Sequence, residues 1–471
     1  MYPTTKPVLT GGWLGGTGAG VIVLGRVHRD RAVGRGLGLA CGSFACALII
    51  LAATATMSRA QTGGTAGQIF YSAPQPLAAT LGQMRPGSDP RPTSADGKFQ
   101  FFDWLLSAGV GYGGAYDSNV NATAINPQRA YGANFQPSLL AERNTGIQRT
   151  QLYLSGDIRY YPSLGRTNLD GTRAGLIHVW EIQRDLIFRM QTQVAEVQAG
   201  SSFNNFLTTG IYATTPVNYT QLFGSSSIQK EFGMFFTAIG GSVTGTKYQN
   251  STDNLGNVID EQFQNGTVST LNGRIGYHLS PIVYTYVEPS MNWARYESSQ
   301  LDSQGYRVVG GIGSGLISLF SGEIYGGYLK QTFEDPTVGA VTSPVVGGKL
   351  SWFPTRFLTL AVAADETFGT TDSRALAFTP GSPTKLTTVK LSGNWDFSYW
   401  YAFTVGASNQ RIDYLNSPRV DDFTVLNAGI VFKIRPGFGL QLGYAHQHLY
   451  SNFPGIPYSR DLVTVSGNTQ F

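Results

Sequence analysis

The chain closes on Asp461-Leu462-Val463-Thr464-Val465-Ser466-Gly467-Asn468-Thr469-Gln470-Phe471. Val463, Val465, Gly467, Thr469 and Phe471 fall on alternate positions, with Thr464, Ser466, Asn468 and Gln470 between them. A period of two is the repeat of an extended strand, whose successive side chains point to opposite faces. One face of this strand is therefore greasy and the other polar. An aromatic last residue counts for little at a frayed terminus, but here it ends a chain in which the same pattern keeps recurring.

Working back from that strand, the sequence divides into eighteen alternating segments, from 104–116 to 461–471. They run to about ten to fifteen residues, long enough to cross a bilayer at a tilt. Leu358, Leu360, Val362 and Ala364 share one face, and Phe438, Leu440, Leu442 and Tyr444 share another. Val389, Leu391, Gly393 and Trp395 lie opposite Thr388, Lys390, Ser392 and Asn394. Long polar connections, such as those at 249–254 and 370–373, alternate with short turns at Arg184-Asp185, Glu231-Phe232, Ser280-Pro281 and Pro354-Thr355. Outer-membrane barrels place short turns in the periplasm and long loops outside. With both ends of the barrel on the periplasmic side the strand number must be even. Eighteen is the count, and sixteen is the alternative if 131–142 and 217–230 are not strands. The expected fold class is all-β, a transmembrane antiparallel up-and-down barrel. A soluble sandwich fits less well, because its strands are near five or six residues and it has no use for rings at strand ends. Tyr160-Tyr161, Trp352-Phe353 and Tyr399-Trp400-Tyr401 sit where girdle aromatics meet the lipid–water boundary.

Composition agrees. Charged residues make up 13% of the 471 residues, against roughly 25% in soluble domains, while mean hydropathy stays near zero. A strand with one lipid face and one wet face averages to that value. Arg26, Arg29, Arg31 and Arg35 precede an apolar stretch within Gly36 to Thr56, and Ser58-Arg59-Ala60 fits a signal-peptidase site. The expected organisation is a signal peptide over 1–60, a flexible periplasmic extension over 61–100, rich in Pro, Gly, Ser and Thr, and a barrel over 101–471. Removing the leader takes away six cations and one anion, which leaves 27 against 28 and a net charge of −1. No nucleic-acid partner is implied. Cys41 and Cys46 both fall in the leader, so the mature chain has no disulfide or thiol chemistry.

Two stretches carry a family resemblance. Gly113-Gly114-Ala115-Tyr116-Asp117-Ser118-Asn119-Val120 resembles the Y-D-x-N-V segment that opens the barrel of the putative β-barrel porin 2 family, and Leu154 to Tyr161 resembles its third strand. Tyr116, Asp117 and Asn119 are the motif residues. The resemblance implies an outer-membrane location in a Gram-negative bacterium, with porin or polysaccharide-export roles. The terminal Phe471 likewise resembles the mark by which the barrel-assembly machinery recognises its substrates.

If the greasy face of each strand meets outer-membrane lipid, then Asp157, Arg159, Arg189, Arg274, Glu288, Glu323, Lys349 and Lys390 point inward, with Gln191, Asn292 and Asn427. Charges of both signs across water form a transverse field that favours polar solutes. The plainer reading is a network that satisfies buried polar groups. Tyr153, Tyr284, Tyr286 and Tyr325 on the same faces offer rings to a saccharide, or simply fill space. Neither enzyme chemistry nor a cofactor is expected. No serine–histidine motif marks His178 or His446 as catalytic, and two histidines, His446 and His448, are too few ligands for a metal site. Gly311-Ile312-Gly313-Ser314-Gly315 lacks the following helix that a dinucleotide loop requires. The expected function is a porin-like channel for small hydrophilic solutes or saccharides. The alternative is an exopolysaccharide-export barrel, or a non-conducting structural or adhesion barrel.

Overall fold

The final strand, Tyr458–Gln470, is hydrogen-bonded on one side to Phe438–Ser451 and on the other to Trp104–Asp117. The sheet thus returns upon itself, and the computed structural model is a closed antiparallel barrel of eighteen strands. The structure describes residues 99–470 apart from 121, 123, 125–126, 157, 165, 170–171, 200–203, 206–210, 213–216, 254, 318, 372–381, 436 and 454–455. The leader, all but the end of the 61–100 extension, Asp157 and Phe471 lie outside the described residues.

In chain order the strands are β1 (Trp104–Asp117), β2 (Ala130–Asn144), β3 (Gln148–Ser155, continued by Ile158–Tyr161), β4 (Thr172–Gln183), β5 (Leu186–Ala199) and β6 (Val217–Phe232). Next come β7 (Phe235–Tyr248), β8 (Gly266–His278), β9 (Val283–Tyr296), β10 (Ser303–Ile317), β11 (Phe320–Phe333) and β12 (Ala340–Thr355). The circle is completed by β13 (Leu358–Thr371), β14 (Ser382–Trp395), β15 (Tyr401–Tyr414), β16 (Val420–Arg435), β17 (Phe438–Ser451) and β18 (Tyr458–Gln470). Below the end of β18, Phe99–Phe101 folds back along the start of β1 and extends that edge. The segments 131–142 and 217–230 are both strands, so the count is eighteen and not sixteen.

Two turns lie later than the sequence reading placed them. β6 continues through Phe232, and the chain reverses at Gly233-Met234, where Gly233 has φ +66; glycine takes that conformation without a Cβ clash. Likewise Pro354 and Thr355 end β12, and the turn is Arg356-Phe357. Loop length also fades as a guide late in the chain, where the 396–400 connection is no shorter than 415–419. Up-and-down order is held there by the ladder alone.

Alternation sorts the two faces as expected. Ile275, Val287, Ile324 and Val346 are each more than half exposed on the outside. Their chain neighbours Arg274, Glu288, Glu323 and Val345 are buried on the inside. Rings gather at the periplasmic turns, with Phe320 stacked on Trp352 and Trp395 edge-on to Phe397, as an interfacial girdle requires. Tyr160 belongs to the outer surface, but Tyr161 does not; it is fully buried on the inner face.

Proline lacks the N–H that a ladder needs, and three strand-interior prolines coincide with irregular pairing. Pro137 stands opposite the break in β3, where Gly156 N donates to its carbonyl at 2.9 Å. Beside Pro289 the β8–β9 register passes from Asn272↔Ser290 to Ile275↔Val287 without the pairs between. Pro344 lies in the part of β12 that has no partner in β13.

Candidate functional site: the lumen wall and the outer mouth

The inner face of β8 to β13 carries a chain of ion pairs. Arg274 on β8 reaches Glu288 on β9 (Nε to Oε2, 2.5 Å) and Glu323 on β11 (Nη1 to Oε2, 3.2 Å). Its guanidinium lies 3.8 Å from the ring centre of Tyr286, and the Tyr284 hydroxyl donates to Glu323 at 3.4 Å. Further up the wall, Arg307 on β10 meets Asp365 on β13 at 3.1 Å, and the Tyr325 hydroxyl donates to the same carboxylate at 2.5 Å. Strands stand about 4.8 Å apart, so apart from the contacts of Arg274 with Glu288 and Tyr286 on the neighbouring strand these contacts lie along the wall and skip one or two strands. Lys349 is in register with Glu323. Three cations and three anions make this belt neutral.

Burial decides what the belt does. Arg274 and Glu323 are 1% exposed, so they meet little of the bore. A buried ion pair is strongly unfavourable to break and weakly favourable to have, which suits a brace. Of the charges singled out from sequence, the exposed Lys390 and the half-buried Lys349 and Arg189 are left facing the open lumen, and the partly exposed Glu142, Glu181 and Glu231 alternate onto the same face. On the facing arc the wall is neutral, as where Asn468 donates to Gln441 at 3.2 Å between β18 and β17.

The lumen tyrosines lie flat over glycines of the next strand. A Cβ on Gly311 would come within 2.7 Å of the Tyr286 ring, one on Gly313 within 2.3 Å of Tyr284, one on Gly347 within 2.4 Å of Tyr325, and one on Gly175 within 2.6 Å of Tyr153. Each ring replaces the missing side chain of its glycine and shields the ladder beneath, as aromatics do for strand glycines. Tyr153, Tyr286 and Tyr325 are buried. They therefore fill space and present no free face for a sugar.

At the outer mouth the motif residues fasten the seam. Asp117 ends β1 and is fully buried. Arg460 of β18 grips it with both prongs, Nε to Oδ1 at 3.0 Å and Nη2 to Oδ2 at 2.6 Å. Tyr161 of β3 donates to the same carboxylate at 3.4 Å, and the Asn119 backbone N–H at 3.0 Å. Asn119 also donates to the Ser459 carbonyl at 3.3 Å, and the Ser118 N–H to Asp461 O at 2.9 Å. Beyond the latch the β1–β2 connection enters the mouth, where Val120 packs on Tyr161, and Ala122 on Phe423 and Tyr458. Tyr116 stays outside, its ring centre 5.0 Å from that of Tyr131.

Of the residues singled out from sequence, Arg274, Glu288, Glu323 and Lys349 are thus brought together, and Asn292 accepts from Gln331 at 3.0 Å on the same wall. Arg159 is buried beside Asn134 near the latch, Arg189 contacts Gln229 at 3.5 Å, and Lys390 stands apart on β14. Arg307, Asp365 and Arg460 were missed, although Arg307 and Asp365 obey the same alternation that identified the others. His178 lies on the outer face with Leu176 and Trp180, bonded to Thr150 at 2.9 Å. His446 pairs with Asp461 at 2.8 Å, and His448 with Ser459 at 2.8 Å.

Residues 100–471 match the model of the family described as Putative beta-barrel porin 2. The chain belongs to that family. It is accordingly a porin-like β-barrel protein of the outer membrane. No curated protein sequence matches it. Among solved structures it is similar to OpdL of Pseudomonas aeruginosa, at 10% identity over 79% of this chain and 99% of that one, with a TM-score of 0.40. OpdO of the same organism has 12% identity over 78% and 97%, also with a TM-score of 0.40. The anion-selective porin from Comamonas acidovorans has 12% identity over 78% and 99%, with a TM-score of 0.33. Scores this low carry no inference about pore or solute.

Proposed function

We propose that this barrel conducts small hydrophilic solutes or saccharides across the outer membrane of a Gram-negative bacterium. One observation carries the reading. Along the described strands the outward positions carry large apolar side chains such as Ile275, Val287, Ile324 and Val346, while the ionised and amide side chains of mid-wall, among them Arg274, Glu288, Glu323, Lys349 and Lys390, alternate inward among rings and small residues. A wall of eighteen strands is wide enough for water, and an interior lined by Lys390, Asn394, Gln441 and Asn468 favours it. With positive and negative groups nearly balanced, solutes pass with little charge preference. Outer-membrane lipid surrounds the barrel, and Phe471 is the mark that the assembly machinery reads. Purified protein in planar bilayers is expected to give discrete, stepwise currents. A folded, heat-modifiable barrel that gives none refutes the reading.

A further inference from the structure

Most neighbouring strands pair along nearly their whole length, but β12 and β13 part halfway. Their ladder runs from Thr355↔Leu358 up to Gly348↔Ala364 and stops. Above that fork β12 stays bonded to β11 as far as Thr332↔Ala340, and β13 stays bonded to β14 as far as Thr371↔Ser382. The barrel wall is therefore split over its outer half.

The two edges overlap. Along β13 and β14, Glu366, Phe368 and Lys385 alternate onto the face that carries Val362, Val389 and Leu391, which elsewhere meets lipid. Yet Phe368 packs against Phe333 and Val345. Ser343 Oγ donates to Glu366 at 2.9 Å, and Lys385 Nζ lies 3.2 Å from Ser343 and 3.1 Å from Glu366. Phe333, Ser343 and Val345 are lumen-face residues, on the same side as Glu323 and Tyr325. The outer face of the β13–β14 hairpin thus rests on the inner face of β11 and β12. Thr367 and Phe368 are consecutive and both buried, so the strand is covered on both sides. At the rim, Asn416 of the β15–β16 connection reaches Asp335 of the β11–β12 connection at 3.4 Å.

Sequence and geometry agree on why the wall does not zip shut. Pro344 sits in the unpaired part of β12, as proline in a sheet requires. Continuing the register would set Glu366 opposite Val346 and turn both Glu366 and Lys385 toward hydrocarbon, where charge is penalised.

We infer that the described outer parts of β13 and β14, residues 365–371 and 382–387, are the constriction element of the pore, a piece of wall turned inward that sets the size of solute admitted. This rests on the channel reading. The tuck itself is tested without transport, by treating full-length barrel carrying Ser343→Cys with Glu366→Cys with a short homobifunctional thiol cross-linker, whose span makes up for the length that Glu366 loses on replacement by Cys. A cross-link is expected, because these side chains face opposite sides of the wall if the strands pair. Two singly modified thiols and no cross-link overturn the inference. Its consequence is tested in bilayers with two variants. One is Pro344→Val with Glu366→Val and Lys385→Val, which lets the hairpin rejoin the wall. The other replaces residues 366–387 by an Asn-Gly turn, which leaves nothing to tuck. Current follows open cross-section, so either variant that folds is expected to raise single-channel conductance about twofold or more and to admit larger neutral polymers. Conductance and polymer cut-off equal to the parent's overturn the constriction. A parent with no current, but with the cross-link formed in the cysteine variant, refutes the channel reading and leaves the tucked hairpin standing.

Discussion

Replacing Asp117 by Ala tests whether the opening motif is what holds the barrel shut. Arg460 makes contacts of 3.0 and 2.6 Å to Asp117, and the side chains of Arg460 and Asp117 are 8% and 0% exposed. Removing the carboxylate leaves a guanidinium buried without its counter-charge, which costs about 3–5 kcal/mol. The Asn119 N–H loses its acceptor as well, worth about 1 kcal/mol. An exposed pair would contribute under about 1 kcal/mol, so the two cases are well separated. Urea unfolding of barrel refolded into detergent, followed by tryptophan fluorescence and by the mobility of unheated samples, measures the difference. The companion variant Asp117→Leu with Arg460→Met removes both charges and is expected to lie near the parent, since apolar replacement of a buried pair is often neutral. A loss below about 1 kcal/mol for Asp117→Ala, or a companion as unstable as the single variant, refutes the latch.

Four further outcomes follow from the wall and the loops. Arg274→Met takes from Glu288 and Glu323 the guanidinium they share, and a loss of about 3–5 kcal/mol is expected in the same unfolding assay. Gly311→Val drives methyl groups into the Tyr286 ring and the Ile324 carbonyl; a loss of about 1–3 kcal/mol is expected, and Tyr286→Ala in the same chain should recover part of it. In the β7–β8 loop the Asp253 carboxylate accepts from the Asn257 side chain at 2.9 Å and from the Asn257 and Leu255 N–H groups at 2.8 Å each, which holds it below the usual carboxylate range. A depressed folded value means the loop gains stability above the ordinary carboxylate range and loses it as pH falls through the depressed value. Protection factors at 251–259, taken relative to the intrinsic exchange rate at each pH, should fall on acidification, and Asp253→Asn should abolish that fall. Deleting Phe471 is expected to lower the yield of membrane-inserted barrel far more than the conductance of molecules that do insert; normal insertion refutes its role as an assembly mark.

Much of the architecture was legible residue by residue. Period-two alternation depends on the geometry of a single strand, so Val389 and Lys390 reveal their faces without reference to any neighbour. The same parity found Arg274, Glu288 and Glu323 and would have found Arg307 and Asp365. It could not say which of them touch, because Arg274 and Glu323 are far apart in sequence and meet only when β8 and β11 are wrapped into one wall. Two turns slipped by two residues because alternation does not mark where a strand reverses; after β6 the reversal comes at Gly233, with its positive φ.

What the sequence determined by itself was the local alternation, the even strand number and the polarity of each face. All are consequences of one chain's covalent geometry meeting a two-sided solvent. Only the tertiary structure decided where that rule bends. Glu366 and Lys385 occupy lipid-facing positions by alternation, yet the β12–β13 ladder ends at Gly348 and Ala364 and the hairpin turns inward, where the two pair with each other and with Ser343. Asp117 and Arg460 stand at opposite ends of the barrel sequence and become neighbours only because a closed sheet brings its first strand beside its last. Pairing across a seam is a long-range event, and no short window of sequence contains both of its edges.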